Sequence, residues 1–264
     1  MTDLASARGA LRTNAANLAL GHEVFVADGA RFVRNAAFPR IRDANHISDV
    51  TASAPAEIDA LLSRAEREFA GYPHRRYDLD FITPPAFEAR LQLDGYERSE
   101  SLVMLLDGAL AGVAQPFVVR PILTDDDWRA FGALAALDWA EYRERHGLPV
   151  EAAVGDEMAG THRGKCPPLT YWLAEIDGVP RGYFSSWAGV DGYGQVEDLF
   201  VQQEYRHRGL ATALLHRTVA HCREQGARGV VIVADPTDTP KRMYAAMGWR
   251  PVAVKREYRR MVGT

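Results

Sequence analysis

The segment Val196-Glu197-Asp198-Leu199-Phe200-Val201-Gln202-Gln203-Glu204-Tyr205-Arg206-His207-Arg208-Gly209-Leu210-Ala211-Thr212 decides how this chain is read. Its first six residues form a strand-like run, and a short polar turn follows. From Leu210 onward Leu214, Leu215, Val219 and Cys222 continue an apolar stripe at helical spacing, and Gly226 supplies the stop. A helix that starts here leaves its first N–H groups without partners, at the positive end of its dipole. Gly209 lets a ligand approach the backbone, and small Ala211 does nearly the same. The junction therefore reads as a cradle for a phosphate-bearing ligand, with Arg206 and Arg208 adding charge. A P-loop is excluded because Gly-x-x-x-x-Gly-Lys-Ser/Thr is absent, and a dinucleotide fingerprint because its three-glycine spacing is missing.

Further along, Val230-Val231-Ile232-Val233 reads as a buried strand. A short helix then ends in Met243-Tyr244-Ala245-Ala246-Met247-Gly248-Trp249. Taken in order, these segments resemble the GNAT N-acetyltransferase superfamily, over roughly Phe117–Met261. That family carries Arg/Gln-x-x-Gly-x-Gly/Ala after a strand, here Arg206-x-x-Gly209-x-Ala211, and Leu-Tyr-x-x-x-Gly-Phe, here Met243 to Trp249.

The resemblance implies acetyl-CoA as acyl donor. Its diphosphate would lie on Arg206, His207, Arg208, Gly209, Leu210, Ala211 and Thr212. Its pantetheine arm would pair with the backbone of Leu199, Phe200 and Val201, where an N–H near Val201 would polarise the thioester carbonyl. Tyr244 stands where the family places its general acid, able to donate to the departing sulfur. Thr237 occupies a position where the family often carries Asn. Many members place a carboxylate at the position of Gln195, and an amide cannot accept the proton usefully.

Glu197 is the candidate base. Strand alternation puts it on one face with Leu199 and Val201, and Asp198 on the opposite face unless a bulge rotates it. Lys241 and Arg242 could reach the adenosine phosphates or simply be solvated. Expected acceptor-pocket residues are Trp139, Glu141, Tyr142 and Trp187, with Tyr258 weaker, a set suited to a cationic amine.

The whole chain bounds these readings. Its 264 residues allow one large or two smaller domains, and 47% hydrophobic content suffices for real cores. A formal net charge of −4 gives no general affinity for nucleic acid. No apolar run is long enough to span a membrane, and the Met1-Thr2-Asp3-Leu4 start lacks signal-peptide character. Cys166 and Cys222 read as reduced thiols in the cytoplasm. The histidines show no metal-ligand spacing, so no metal is expected.

The expected fold class is α/β (α+β), a mixed central sheet flanked by helices. Residues 116–264 form the GNAT-like catalytic domain, in the order β-α-α-β-β-β-α-β-α-β. Residues 1–115 form a degenerate GNAT-like copy without the cofactor motif, which should not bind the cofactor. In that half, helices are expected at Leu4–Leu20, Pro55–Phe69 and Pro85–Leu93. A hairpin is expected around Asp28-Gly29, with strands at Arg76–Ile82 and Leu102–Leu106. The first half is expected to close one side of the acceptor cleft, since clefts favour domain interfaces. The function expected is transfer of an acetyl group from acetyl-CoA directly to a primary amine of a small molecule, by a monomer or homodimer. The alternatives are a non-catalytic acyl-CoA sensor, a larger acyl group, or a protein amine as acceptor.

Overall fold

A computed structural model describes residues 4–147 and 152–262, so the first three residues, and the first residues of a helix that the sequence predicts over Pro149–Thr161, lie outside the described residues. The first half runs α1 (Leu4–Ala19), β1 (Glu23–Ala27), β2 (Ala30–Arg34), β3 (His46–Ser48), α2 (Pro55–Glu68), β4 (His74–Leu79), α3 (Pro85–Leu93) and β5 (Glu97–Leu106). After residues 107–117, which carry no helix or strand, come β6 (Val118–Pro121), α4 (Asp125–Arg145), α5 (Ala152–Gly164), β7 (Thr170–Ile176), β8 (Val179–Val190) and β9 (Tyr193–Val201). The chain then forms α6 (Leu210–Glu224), β10 (Gly229–Ala234), α7 (Pro240–Ala246) and β11 (Arg250–Met261).

Local chemistry sets these boundaries. Thr124 accepts from the Asp127 amide at 3.1 Å, and Asp127 accepts from the Thr124 amide at 3.0 Å, a reciprocal cap that starts α4. The β1–β2 turn holds Asp28 and Gly29 at φ 46° and 75°, the double left-handed conformation that tight hairpins favour. Two expectations shift. The strand expected at Arg76–Ile82 is β4, His74–Leu79, and β5 begins at Glu97, ahead of its apolar stretch, because β11 pairs with it that far out; the three-residue strand β3 is too short to leave a periodic signal.

The described strands form one sheet in the order β1-β2-β3-β4-β11-β5-β10-β9-β8-β7-β6. This order pairs with an internal repeat: α1-β1-β2-β3-α2-β4-α3-β5 recurs as α5-β7-β8-β9-α6-β10-α7-β11. The last strands of the two copies are exchanged. β11 lies between β4 and β5, and β5 lies between β10 and β11, all antiparallel. Each half thus completes the sheet of the other. Apolar clusters follow this plan, one beneath α6 in the second half and one around α2 and α3 in the first.

Candidate active site

β9 and β10 run parallel but pair only where Tyr193–Gln195 face Gly229–Val231, and beyond that point they part. Before the opening, β9 bulges. Tyr183 and Ser185 of β8 oppose Phe200 and Glu197, so β9 spends one more residue than its neighbour, and Asp198 takes φ 67°.

The bulge corrects the expected face of Glu197. Glu197 and Asp198 line the same cavities, whereas Val201 packs with Val196 in the core that includes α6. The extra residue shifts the alternation by one, so Glu197 no longer shares a face with Val201.

The gap between the strands holds a cavity of about 200 Å³, lined among others by Glu197, Asp198, Leu199, Asp235 and Tyr244. Burial pushes the Glu197 carboxyl up to about 8, helped by the neighbouring Asp198 charge. Buried Gln195 donates Nε2 to Glu197 Oε2 at 2.8 Å, which fixes the carboxyl's orientation. Asp198 accepts from the Tyr171 hydroxyl at 2.7 Å, and His162 Nδ1 stands 2.5 Å from that hydroxyl. Burial lowers the His162 pKa, so the ring is neutral near pH 7. Tyr244, only 6% exposed, packs edge-on against Trp249. Burial and then the Glu197 charge raise its phenol further, so it keeps its proton.

The strand edge facing the gap has a free donor. Gln202 N–H donates to Arg181 at 2.9 Å on the β8 side, so the backbone groups of Val201 point the other way. The Val201 carbonyl is taken by Arg206 Nε at 2.9 Å, which leaves the Val201 N–H toward the opening.

At the start of α6, His207 and Gly209 adopt φ 62° and 95°. The first helical bond runs from Ala213 N to Gly209 O, and among the described residues no acceptor takes the N–H groups of 207–212. Consecutive unpaired amides in this conformation form an anion-binding nest. Gly209 is required on a second count: a Cβ there would lie 2.6 Å from Gln115 Cγ.

The side chains divide. Arg206, expected to serve phosphates, is paired with Glu141 and the Val201 carbonyl, so it braces the turn. Arg208 rests over the Tyr205 ring. Leu210 is core, and Ala211 packs against that core. Thr212 and His207 offer backbone amides. Thr237 donates its N–H and hydroxyl to Asp235 Oδ1, each at 2.6 Å, so its hydroxyl proton serves its own turn and not the cleft. Lys241 donates to the Asp238 carbonyl at 2.6 Å.

The repeat places α2 where α6 stands in the second half, but its start is closed. Pro55 has no N–H, and the Glu57 carboxylate accepts from the amides of Ser53 and Ala54 at 3.0 Å each. The two amides before Pro55 are taken, by a group of a phosphate's own charge.

A second cavity of about 240 Å³ lies between the halves and meets the first at Glu197 and Asp198. Asn14, Asn17, His22 and Arg76 line it from the first half, and His162 and Lys165 from the second. The aromatic residues expected in an acceptor pocket are elsewhere. Trp187 is core, Trp139 stacks on Tyr142 beside Ile41, and Glu141 holds Arg206. Tyr258 is fully buried in the first half's core, with its hydroxyl bonded to Glu88 and Gln92. Lys165, Asn17 and His22 gave no sequence signal, because each sits at an ordinary helix end or turn and only the strand exchange brings them together.

Residues 131–249 match the family described as the acetyltransferase (GNAT) family. Among solved structures, a GCN5-related N-acetyltransferase from Kribbella flavida shares 17% identity at TM-score 0.71, over 97% of this chain and 96% of that one. A GCN5-related N-acetyltransferase from Sphaerobacter thermophilus shares 15% at TM-score 0.55, over 98% and 93%. A tandem GNAT protein from the clavulanic acid biosynthesis pathway shares 15% at TM-score 0.59, over 89% and 79%. These likenesses concern the fold. No curated protein matches the chain.

Proposed function

We propose that this chain moves an acetyl group from acetyl-CoA directly to a primary amine of a small molecule, since its residues 131–249 match the acetyltransferase (GNAT) family, a family that transfers acyl groups from acyl-CoA. The observation that carries this reading is the parting of β9 and β10, with Glu197 and Tyr244 lining the gap and a row of unpaired amides at 207–212 beyond it.

The residues present fit such a donor. The amides of 207–212 would hold the diphosphate, and the open edge at Leu199–Val201 would hold the pantetheine arm. The Val201 N–H would stabilise the oxyanion as the thioester carbonyl is attacked. Glu197, ionised, takes a proton from the amine. The N–C bond forms, the C–S bond breaks, and Tyr244 gives a proton to the departing sulfur. The net change moves one proton from nitrogen to sulfur, as Glu197 releases its proton to solvent and the Tyr244 phenol takes one back from it.

Arg206 and Thr237 have smaller parts here than the resemblance implies. Arg206 shapes the turn, and Thr237 orders the loop before α7. Two free cysteines suit a cytoplasmic setting. The test is release of CoA thiol from acetyl-CoA across a panel of small amines. Amine-dependent release with an N-acetylated product supports the reading, and tight acetyl-CoA binding with no release across the panel opposes it.

A further inference from the structure

The cavity between the halves carries three hydrogen-bond donors that the protein itself leaves unanswered. Lys165 is 6% exposed, and among the described residues no carboxylate lies within ion-pairing distance of its ammonium. Asn17 is 1% exposed, and its Nδ2 is buried with no partner. Asn35 Nδ2 stands 3.1 Å from His22 Nδ1; with Nδ1 accepting there, the proton sits on Nε2, which is also buried without a partner. Burial pushes the His22 pKa down to about 4, so that ring is a neutral donor.

Packing brings these groups together. The turn after α1 is pressed against the end of α5, where a Cβ on Gly21 would meet the Gly164 carbonyl at 2.4 Å. That contact sets His22 beside Lys165. The other charges of the cavity are engaged. Arg76 is paired with Asp43, Asp78 and Glu257, and Lys255 with Asp78. Asp43 is therefore bound to Arg76, not to Lys165. Buried donors without acceptors cost free energy, and an anion supplied from outside removes that cost. Glu197 and Asp198 line the same cavity and suit an amine.

We propose that the acceptor is a zwitterion of the amino-acid class, with its carboxylate on Lys165, Asn17 and His22 and its amine delivered to Glu197. This rests on the acyl-transfer reading of the same site. The first half then takes part in recognition, since Asn17 and His22 belong to it. A cavity of about 240 Å³ limits the acceptor to a small molecule. A neutral amine would leave the three donors unanswered, and a polyamine would set a second cation against Lys165.

The experiment measures kcat/KM by thiol release for free amino acids and for their decarboxylated amines and carboxamides, at fixed acetyl-CoA. At least one amino acid is expected to exceed its decarboxylated partner by roughly 100-fold, the discrimination available to a site left with unpaired polar groups. Lys165→Met and Asn17→Leu are expected to shrink that ratio at least tenfold, chiefly through KM, while the acetyl-CoA dissociation constant, read by calorimetry, attests that each variant is folded. Equal turnover of an amino acid and its amine in the unaltered protein, or turnover of neutral amines alone, overturns the proposal and leaves acyl transfer standing. No turnover of any amine, with acetyl-CoA bound, overturns the acyl-transfer reading and this proposal with it.

Discussion

Glu197 and Asp198 are neighbours in sequence yet line the same cavity, because the β9 bulge holds Asp198 at φ 67° and cancels the alternation between them. Asp198 is bonded to Tyr171, and burial, with the neighbouring Asp198 charge, holds the proton on Glu197.

This pairing fixes a pH dependence. The Glu197 carboxyl, raised to about 8, is protonated below that value and cannot accept a proton there. With an acceptor whose amine titrates well below neutrality, kcat/KM is expected to rise with pH through about 8 and level off above it. Glu197→Gln should remove that limb and lower the plateau by roughly 100-fold. A flat profile in the unaltered protein would remove Glu197 as the base.

Tyr244 offers a conservative substitution. Phe keeps the edge-on packing with Trp249 and the buried volume, and removes only the hydroxyl. Tyr244→Phe is expected to lower kcat by roughly 100-fold with little change in acetyl-CoA affinity. Acceptors activated by a low amine pKa should not rescue it, because the lost proton goes to sulfur. Undiminished kcat would take Tyr244 out of the chemistry.

The exchange of β5 and β11 makes the halves interdependent. Residues 116–264 alone lack β5, so β10 and β11 lose the strand between them and the core loses Val103 and Leu105. That fragment is expected to show no cooperative thermal transition, and production together with residues 1–115 should restore one. A cooperatively folding, acetyl-CoA-binding fragment 116–264 would contradict the exchange.

The Arg76 cluster joins the halves electrostatically. Burial pushes the carboxyls of Asp43 and Asp78 up, but the Arg76 guanidinium outweighs it and holds both well below the usual range. Groups lowered in this way stabilise the fold above the ordinary carboxylate range, and that stability is lost as pH falls toward their folded values. Arg76→Met strands buried Asp78 with Lys255 as its remaining partner, so denaturant unfolding near pH 7 should show a loss of about 3–5 kcal/mol. The loss should shrink as pH falls through the ordinary carboxylate range. A pH-independent difference would assign the effect to packing.

Much of this was legible in the sequence because it is local. The helix start at Gly209, the Tyr244 helix, the Asp28-Gly29 turn and the Thr124 cap all depend on neighbours within a few residues. The repeat left a trace in the helix-Gly-Tyr ending of the first half, Leu93 through Tyr96. What stayed hidden depends on pairing. The bulge at Asp198 is a matter of register against β8, the strand exchange places residues more than a hundred apart side by side, and the cavity donors become a set only after that exchange. Trp139 and Trp187 have the chemistry of pocket residues, but large apolar surfaces are as readily used to fill cores, as both do here.

In the proposed reaction the amides opening α6 at Gly209 grip the diphosphate of an acyl-CoA and aim its sulfur at Tyr244. A crystal structure grown with acetyl-CoA is the decisive measurement. The diphosphate is expected on the backbone of 207–212, and the thioester between β9 and β10 within hydrogen-bonding reach of the Val201 N–H and the Tyr244 hydroxyl. A Gly209→Val variant should show no bound cofactor. Acetyl-CoA found at any other place on the protein, with those amides and that gap left to solvent, would contradict it.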